Sequence, residues 1–428
     1  MKFYKETNFQ ETPIGKIPKD WEVMRATDVA EYINGYPFSP KDWKTSGIPI
    51  IRIQNLNDPN AEFNFFDGEI DEIYKVKNGD LLLSWSASIG VYIWKRGDAV
   101  LNQHIFKVIP KPKVNKLFLY YALFLAIEQL KRRVHGSTMK HFRRGELETT
   151  FLPFPPLGEQ QKITEILSIV DEAIQKTDEI TAKGERLKKA LMNELLTGRI
   201  RVREENGRLS FYRETELQET EIGKIPRNWR IEKLGSIVVK AKMGGTPKRS
   251  VREYWDGDIP FAKIEDITSS HKYLFKTSTT ITRLGLENSN AWVVPRDSLL
   301  ITIYGTLGAV AVNKIELATN QAIVGIVPKK EIVDVEFLHY WYSFFQPNWN
   351  KYVKKSTQPN LTLEIIVNSI IPLPPLNEQK GIVRILSLID RTVELYHRER
   401  ERLERLKRGL MDLLLTGKVR VIDGDVGS

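Results

Sequence analysis

The sequence has no cysteine and only six histidines among its 428 residues. Without cysteine the chain can hold no disulfide framework, no cysteine-ligated zinc and no thiol nucleophile. Apolar runs such as Phe118–Ile127 are far shorter than the ~20 residues that span a bilayer. The N-terminal segment has no apolar signal core. We therefore expect a cytoplasmic protein with no membrane contact.

Motifs for nucleotide or methyl-donor chemistry are also missing. The sequence has no GxxxxGKS/T loop, no GxGxxG fingerprint, no kinase motif set and no NPPY-type methyltransferase loop. Several carboxylates near basic strands are conceivable metal ligands, but a role at strand ends and turns is the better interpretation. They are Asp80, Asp258, Glu265, Asp266 and Asp297. We expect no catalytic residue, no metal and no cofactor on this chain.

The composition is that of a folded, basic protein. Hydrophobic residues make up 41% of the chain, which is enough to build cores. Lys and Arg outnumber Asp and Glu by 64 to 54, so the net charge is +10. This surplus permits a polyanionic partner, and the length favours two or three domains at about 150 residues each.

An internal repeat organises the chain. Residues 3–21 and 211–229 share 13 of 19 positions. Two further blocks recur, at 153–171 and 372–390, and at 187–202 and 406–421. The repeat is also circular, because GKVRV at the end of the last block matches GRIRV, which runs directly into the second copy of the first block. We predict a pseudo-twofold duplication in which Lys2 and Val421 lie close together.

Between the repeated blocks, residues 22–150 and 230–370 share only a skeleton. One scaffold therefore carries two different surfaces joined by copies of one spacer. This pattern favours recognition of two different targets with one geometry. The alternative is duplication followed by drift, which does not readily spare the spacers alone.

Each proline pair, Pro155-Pro156 and Pro374-Pro375, precedes a predicted helix of about 38 residues, or ~57 Å. Apolar or small residues recur along it at steps of three and four, and Gly198 and Gly417 are the expected C-caps. A stripe this long needs a partner. An intramolecular antiparallel coiled coil is favoured over packing on the same domain or homodimerisation, because one chain holds two matching stripes.

The predicted fold class is α+β, with two globular mixed α/β domains joined by two long antiparallel coiled-coil helices. We assign the first variable domain to 1–154, the first spacer helix to 155–198, the second variable domain to 199–373, the second spacer helix to 374–417 and a C-terminal tail to 418–428. Strand patterns lie at Ile48–Ile53, Asp80–Ser84, Val91–Trp94, Ile259–Ala262, Ser298–Ile303 and Ala309–Val312, and helical patterns at Lys116–Val134 and Val335–Tyr352.

Each copy carries a basic loop, rich in hydroxyl and amide groups, shortly before its proline pair. Lys and Arg neutralise phosphates, whereas Ser, Thr, Asn and Gln can bind phosphates or base edges. The matched placement favours nucleic-acid contact over a solvated face. The candidates are Arg132, Arg133, Ser137, Thr138, Lys140 and Arg143 in the first copy, and Lys354, Lys355, Ser356, Thr357, Gln358 and Asn360 in the second.

A second set of DNA-contact candidates follows a predicted strand in each copy. Arg52, Gln54 and Asn55 occupy the positions that Lys263, Glu265 and Asp266 occupy in the second copy. The same place with different hydrogen-bonding groups is expected if each domain reads different bases. The Asn102-Gln103 and Asn320-Gln321 pairs are weaker candidates, for which turn or core roles fit as well.

The repeated motifs resemble those of the specificity subunit of type I restriction-modification enzymes. They are IGKIPxxW at 14–21 and 222–229, PPLGEQ or PPLNEQ at 155–160 and 374–379, and LLTG at 195–198 and 414–417. The resemblance spans essentially the whole chain. It implies two target-recognition domains, each reading one half of a split, asymmetric site in double-stranded DNA, with the helices setting the spacer.

The resemblance also implies partners. Two modification subunits would dock on the conserved helices and carry the S-adenosylmethionine and adenine methylation chemistry. Restriction subunits would bring ATP- and Mg-dependent translocation and cleavage. This chain would then be non-catalytic.

Two other classes stay open from the residues alone. One is a self-contained DNA methyltransferase or nuclease with an unrecognised active site, which would transfer methyl groups or cleave DNA without partners. The other is a coiled-coil scaffold that binds no DNA. Salt-dependent DNA binding that is lost when Lys354 and Lys355 are replaced would argue against the scaffold.

Overall fold

The computed structural model describes residues 1–133, 144–205, 207–352 and 360–422. They form two compact units: unit 1 comprises Met1–Asp178 and Arg398–Ser428, and unit 2 comprises Glu179–His397. Each unit contains helices and several sheets around its own hydrophobic cores. The predicted α+β class with two repeated mixed domains is confirmed.

Unit 1 contains two four-stranded sheets. The first, which is antiparallel, has the strand order Gly90–Ile93, Leu81–Ser84, Ile105–Pro110 and Ala30–Asn34. The second has the order Asn64–Phe66, Ile48–Ile51, Ala99–Leu101 and Lys75–Val76. Its two central strands run parallel, with Ile50 opposite Val100.

Unit 2 repeats this arrangement with one additional strand. Its first sheet has the order Val238–Met243, Ile323–Pro328, Leu299–Thr302, Val310–Asn313 and Tyr273–Leu274. Its second sheet has the order Thr279–Ile281, Trp255–Ala262, Leu317–Thr319 and Val293–Val294. The central pair is again parallel, with Phe261 opposite Ala318.

The central strands of the first sheets are buried on both faces. Successive side chains of a strand point to opposite sides. Leu81 and Leu83 therefore join the core that contains the helix Lys116–Arg133, whereas Leu82 joins a second core with Ile51. This two-sided burial explains why these strands are continuous apolar runs rather than alternating ones.

The remaining elements are short. Two-stranded ribbons pair Phe9–Thr12 with Gly15–Pro18, Glu22–Arg25 with Phe151–Phe154, Leu217–Thr220 with Gly223–Pro226, Arg230–Lys233 with Ile370–Leu373, and Ile200–Glu205 with Arg208–Arg213. Short α-helices lie at Ala26–Val29, Ile53–Asn57, Arg144–Thr149, Ile264–Ser269, Arg283–Glu287, Val335–Phe345 and Leu363–Val367. Single 3-10 turns lie at Pro40–Asp42, Glu72–Tyr74, Leu234–Ser236, Arg252–Tyr254 and Gln346–Lys351.

One strand prediction and one helix prediction need adjustment at their C-terminal ends. The strand predicted to run through Ile53 stops at Ile51, because Arg52 caps a short helix there. The helix predicted to reach Tyr352 ends at Phe345 and continues as a 3-10 turn, since Pro347 at its start cannot donate a helical hydrogen bond. The strand predicted at Ile259–Ala262 begins earlier, at Trp255, and the other strands and helices predicted in the variable domains agree with the structure to within one residue at each end.

The two long helices each have 40 residues, Leu157–Leu196 and Leu376–Leu415, or about 60 Å. Each passes from one unit into the other. Side-chain contacts join the two helices inside each unit. Unit 1 has the ion pairs Asp171–Lys407 at 2.6 Å and Asp178–Arg400 at 2.6 Å. Unit 2 has the ion pair Lys188–Asp390 at 2.5 Å and a 3.8 Å contact between Glu185 and the His397 ring. Residue numbers rise along one helix as they fall along the other. The helix segments in each unit are therefore antiparallel.

The predicted closeness of Lys2 and Val421 is confirmed. The strand Lys2–Lys5 pairs antiparallel with Val419–Ile422, and Phe3 lies opposite Val421. In unit 2 the hairpin formed by Ile200–Glu205 and Arg208–Arg213 takes the same place in the repeat. The circular organisation read from the sequence therefore has a structural counterpart.

The repeated motifs meet at a buried carboxylate in each unit. In unit 1, Glu159 accepts hydrogen bonds from Arg420 Nε at 2.7 Å, Arg420 Nη2 at 2.8 Å and Trp21 Nε1 at 3.0 Å. In unit 2, Glu378 accepts equivalent bonds from Arg201 at 2.7 Å and Trp229 at 3.2 Å. The PPLxEQ motif, the IGKIPxxW motif and the GRIRV or GKVRV motif thus come together in one ion-pair cluster per unit.

The glutamine of the same motif anchors the start of each long helix. Gln160 donates to the carbonyl of the first motif proline at 2.9 Å and accepts from Asn115 N at 2.9 Å. Gln379 makes the same two kinds of bond, the second with Asp334 N at 2.9 Å. Both side chains are fully buried. The motif therefore specifies how the long helix attaches to its domain.

Replacing Gly417 with alanine should lower the free energy of unfolding by about 2–3 kcal/mol. Gly417 has a φ of +67°, and an added Cβ would lie 2.3 Å from Pro18 Cγ. Gly409 is the control, since it lies inside the helix with open space around it. Its alanine variant should gain up to about 1 kcal/mol. Chemical denaturation of both variants measures the difference, and equal stabilities would contradict this account.

Candidate nucleic-acid interface

The candidate residues near position 52 lie at the carboxyl end of a parallel strand pair in unit 1. Arg52 follows the strand Ile48–Ile51 and caps the helix Ile53–Asn57. Its Nη1 donates to Asn64 Oδ1 at 2.9 Å, and its guanidinium carbon lies 4.6 Å from the centre of the Trp43 ring. These contacts hold the guanidinium against the neighbouring strand.

Asn55 and Gln54 have different places in the same helix. Asn55 is only 3% exposed; its Oδ1 accepts from Arg52 N at 3.0 Å, and its Nδ2 donates to the carbonyls of Ala61 and Glu62. This side chain holds the local loop, so its amide is occupied by the protein. Gln54 is exposed, and its only side-chain hydrogen bond among the described residues is a long one, 3.5 Å to the Glu62 carbonyl.

Unit 2 builds the equivalent place with other side chains. Lys263 follows the strand Trp255–Ala262 and caps the helix Ile264–Ser269; its Nζ donates to Thr279 Oγ1 at 2.6 Å. Asp266 is buried and accepts from Lys263 N at 2.8 Å and from Ser278 N at 2.9 Å. Glu265 is exposed between them.

Both places share one backbone frame. The second strand of each parallel pair ends at an asparagine: Asn102 N donates to the Ile51 carbonyl at 3.1 Å, and Asn320 N donates to the Ala262 carbonyl at 3.2 Å. We call this frame the strand-end slot. It consists of Trp43, Arg52, Gln54, Asn64 and Asn102 in unit 1, and of Trp255, Lys263, Glu265, Thr279 and Asn320 in unit 2. Ligands of open sheets commonly bind outside the carboxyl ends of parallel strands.

An open cavity of about 350 Å³ marks the strand-end slot in unit 2. Its lining includes Trp255, Lys263, Glu265, Thr279 and Asn320, which belong to the slot. Arg249 and Thr246 complete one side, and both come from the loop after the edge strand. The cavity therefore combines two cations, one carboxylate, two aromatic rings and neutral polar groups.

The other candidates are less defined. Arg132 and Arg133 are the last two residues of the helix Lys116–Arg133. Asn360 is half-buried, and its Nδ2 donates to Tyr304 Oη at 3.3 Å. The following candidates lie outside the described residues: Ser137, Thr138, Lys140, Arg143, Lys354, Lys355, Ser356, Thr357, Gln358. The structure thus brings together one of the two candidate sets.

Sequence reasoning missed the supporting members of the slot. Trp43 and Asn64 in unit 1, and Trp255 and Thr279 in unit 2, were not among the candidates, and the asparagine pair was only a weak one. A usable signal existed, since in each copy a tryptophan, Trp43 or Trp255, lies eight or nine residues before the basic residue that follows the strand. Recognising it requires knowledge of which strands are parallel.

Three of the five carboxylates considered for a metal site, Asp80, Asp266 and Asp297, have partners within the fold. Asp80 lies 3.2 Å from Lys107 Nζ, and Asp266 caps a helix. The hydrogen bond from Lys314 holds the pKa of Asp297 below its ordinary value. Across the part of the chain that the structure describes, no cluster of three or more His, Asp or Glu residues is arranged to hold a metal ion. No helix in that part is long and apolar enough to cross a membrane.

Residues 18–183 and 226–405 match the family model of the type I restriction modification DNA specificity domain. The two matches cover well over half of the chain, and they coincide with the two copies of the repeat. The chain therefore belongs to this family.

Individual relatives agree with this assignment. A putative type I restriction enzyme MjaX specificity subunit of Methanocaldococcus jannaschii is 28% identical over 439 residues, covering 98% of this chain and 99% of that protein. The type I restriction enzyme EcoBI specificity subunit of Escherichia coli is 26% identical over 392 residues, covering 86% of this chain and 79% of that protein.

A solved structure has the same fold. The S subunit of a type I restriction-modification system from M. genitalium superposes with a TM-score of 0.57 at 16% sequence identity. The superposition covers 92% of this chain and 96% of that one. The fold built from two repeated mixed domains is therefore shared over nearly the full length of both chains.

Proposed function

We propose that this chain is the DNA-recognition subunit of a type I restriction-modification complex, in which each variable domain reads one half of a bipartite, asymmetric site in double-stranded DNA. The observation that carries the proposal is the strand-end slot. It has the same backbone frame in both units and different side chains at its exposed position. One geometry with two chemistries suits two different half-sites.

The rest of the chain then divides into recognition domains, spacer helices and a tail. Recognition domains occupy 1–154 and 199–373, and the spacer helices 155–198 and 374–417 form an antiparallel coiled coil that sets the distance between half-sites. The tail, 418–428, begins with the strand that closes unit 1. The antiparallel ion pairs in each unit support the pairing of the helices.

We assign catalysis to partner subunits. Modification subunits would supply S-adenosylmethionine chemistry, and restriction subunits would use ATP and Mg. Repeat-related apolar side chains on the long helices support two docking places: Ile169 and Leu388 are 66% and 65% exposed, and Leu187 and Leu406 are 53% and 50% exposed. Unit 1 contains one member of each pair and unit 2 the other. This distribution favours two copies of one partner.

Mapping of methylated adenines in DNA from cells that express this chain with its modification subunit tests the function. We expect methylation at one bipartite sequence with a fixed unread spacer. Methylation that requires no modification subunit would overturn the proposal in favour of a self-contained methyltransferase. Methylation at a continuous site would contradict the two-domain reading.

Replacing Arg52 or Lys263 with alanine should weaken specific DNA binding by the complex about five- to tenfold at moderate salt. The reason is that each variant removes one cation from the strand-end slot of one unit. The slope of log affinity against log salt should fall by about one for each variant. Fluorescence anisotropy with the methylated-site duplex measures both. Lys16→Ala and Lys224→Ala are repeat-matched controls on the short ribbons, and an equal loss in them would count against the slot.

A further inference from the structure

We infer that Gln54 and Glu265 are the base-reading residues of the two strand-end slots, with Gln54 selecting an adenine in one half-site and Glu265 selecting a cytosine in the other. This inference rests on the proposed function and names residues that read the DNA. It follows from the hydrogen bonds that each side chain of the slot already makes within the fold.

The two residues hold the same position in the two units. Each is the second residue of the short helix that follows the first parallel strand, directly after a cap and one apolar residue. Each is exposed, whereas the next residue, Asn55 or Asp266, is buried and bound to the backbone of the cap. Four successive positions therefore have matching roles, and the exposed one carries a different polar group in each unit.

The neighbouring polar groups are committed to the fold. Arg52 and Lys263 each donate to a side chain on the adjacent strand, Asn64 or Thr279. By contrast, the Gln54 side chain has one long hydrogen bond, and the Glu265 carboxylate has no hydrogen bond or ion pair among the described residues. The exposed position keeps nearly its full hydrogen-bonding capacity for a partner.

Glu265 also excludes the simplest contact with DNA. A carboxylate facing a phosphate is repelled, so a slot that served only the backbone would not place one here. Glu265 lines the cavity together with Arg249 and Lys263, whose charges offset its own near a polyanion. A carboxylate so compensated suits a base edge that donates hydrogen bonds.

The major groove offers few such donors. Cytosine presents its N4 amino group, which a carboxylate accepts, and adenine presents an N6 donor next to an N7 acceptor, which matches a carboxamide. Gln54 has both a donor and an acceptor, whereas Glu265 has acceptors only. The pairing of Gln54 with adenine and of Glu265 with cytosine follows from this difference.

The test exchanges the two chemistries. Glu265→Gln should change one position of the half-site read by unit 2 from cytosine to adenine, and Gln54→Glu should make the reverse change in the other half-site. Discrimination at that position should shift by about tenfold or more, as for one base pair in a recognition site. The readout is the methylated motif in cells that also express the modification subunit, together with selection from duplexes randomised at each half-site.

Glu219→Gln is the matched control, because Glu219 is an exposed carboxylate on the ribbon Leu217–Thr220 of the same unit. It should leave the motif unchanged. A motif unchanged in Glu265→Gln and Gln54→Glu would overturn the inference while leaving the proposed function intact. An even loss of selectivity at all positions of a half-site would also overturn it. Absence of any bipartite methylation with the unaltered chain would instead defeat the proposed function.

Discussion

Replacing Arg420 with methionine should lower the free energy of unfolding of unit 1 by about 3–5 kcal/mol. The Arg420 guanidinium is almost fully buried and bonds Glu159 through two nitrogens, while its third nitrogen bonds Glu6 at 2.7 Å and Asp20 at 2.9 Å. Methionine fills similar volume without charge. The variant would therefore leave the buried Glu159 carboxylate without its cation, which is the costly part of breaking a buried pair.

Hydrogen–deuterium exchange resolved along the chain is the measurement, because it reports on the two units separately. Arg201→Met should affect unit 2 in the same way, through Glu378. Arg400→Met is the control, because its pair with Asp178 is partly exposed and should cost at most about 1 kcal/mol. Adding Glu159→Gln to Arg420→Met should recover part of the loss. Equal protection in Arg420→Met and Arg400→Met would disprove this account of the cluster.

The same cluster should make the effect of Arg420→Met depend on pH. The hydrogen bond from Arg420 holds the pKa of Asp20 below its ordinary value of 3.8. Because the folded-state pKa is lowered, this contribution to stability is present above about pH 4 and is lost as the pH falls through the folded-state value. The stability difference between Arg420→Met and the unaltered chain should therefore narrow at acidic pH. Denaturation curves between about pH 2 and about pH 6 measure it, because this range covers the titration of an aspartate with a pKa at or below its ordinary value.

Insertion of one helical turn into both long helices should abolish methylation of the original site and create methylation at a site with a longer spacer. One turn adds about 5.4 Å along the helix axis, which corresponds to one or two base pairs at ~3.4 Å each. The half-site sequences should stay the same, because both strand-end slots are untouched. The insertions belong after Asp178 and after His397, where the chain passes between units.

Insertion into one helix alone is the matched control. It would displace the pairs between Asp171 and Lys407 or between Lys188 and Asp390 relative to each other, so the variant should lose stability rather than gain a new site. Mapping of methylated adenines distinguishes the outcomes. An unchanged spacer in the double insertion would reject the idea that the helices measure the distance.

The bounds of the long helices and the closeness of the terminal segments could both be predicted from the sequence. The prolines and glycines that bound the long helices act through backbone geometry within a few residues, so Gly198 and Gly417 were identified directly. The closeness of the terminal segments followed from the circular repeat, because the two segments match sequences that are adjacent in the middle of the chain. In these cases the prediction requires only the residue types and the repeat, and no knowledge of tertiary contacts.

Other features depend on residues that meet only after folding. Glu159 and Arg420 are 261 positions apart, and neither is unusual in its own neighbourhood. Asn55 is a further case: its residue type suits a base edge, but its amide donates to the carbonyls of Ala61 and Glu62 in the folded loop. Composition and spacing placed candidates in this segment, whereas only the folded structure shows which of its polar side chains is exposed.

The discontinuity of unit 1 has a consequence for how the protein is made. Unit 2 is one continuous stretch, Glu179–His397, whereas unit 1 needs its first strand and the residues after His397. On a ribosome, unit 2 can therefore complete its core first, although it is translated second. Unit 1 must wait until Arg420 has left the exit tunnel before its buried carboxylate gains a cation. A nascent chain arrested shortly before that point would hold a finished second half and an open, protease-sensitive first half.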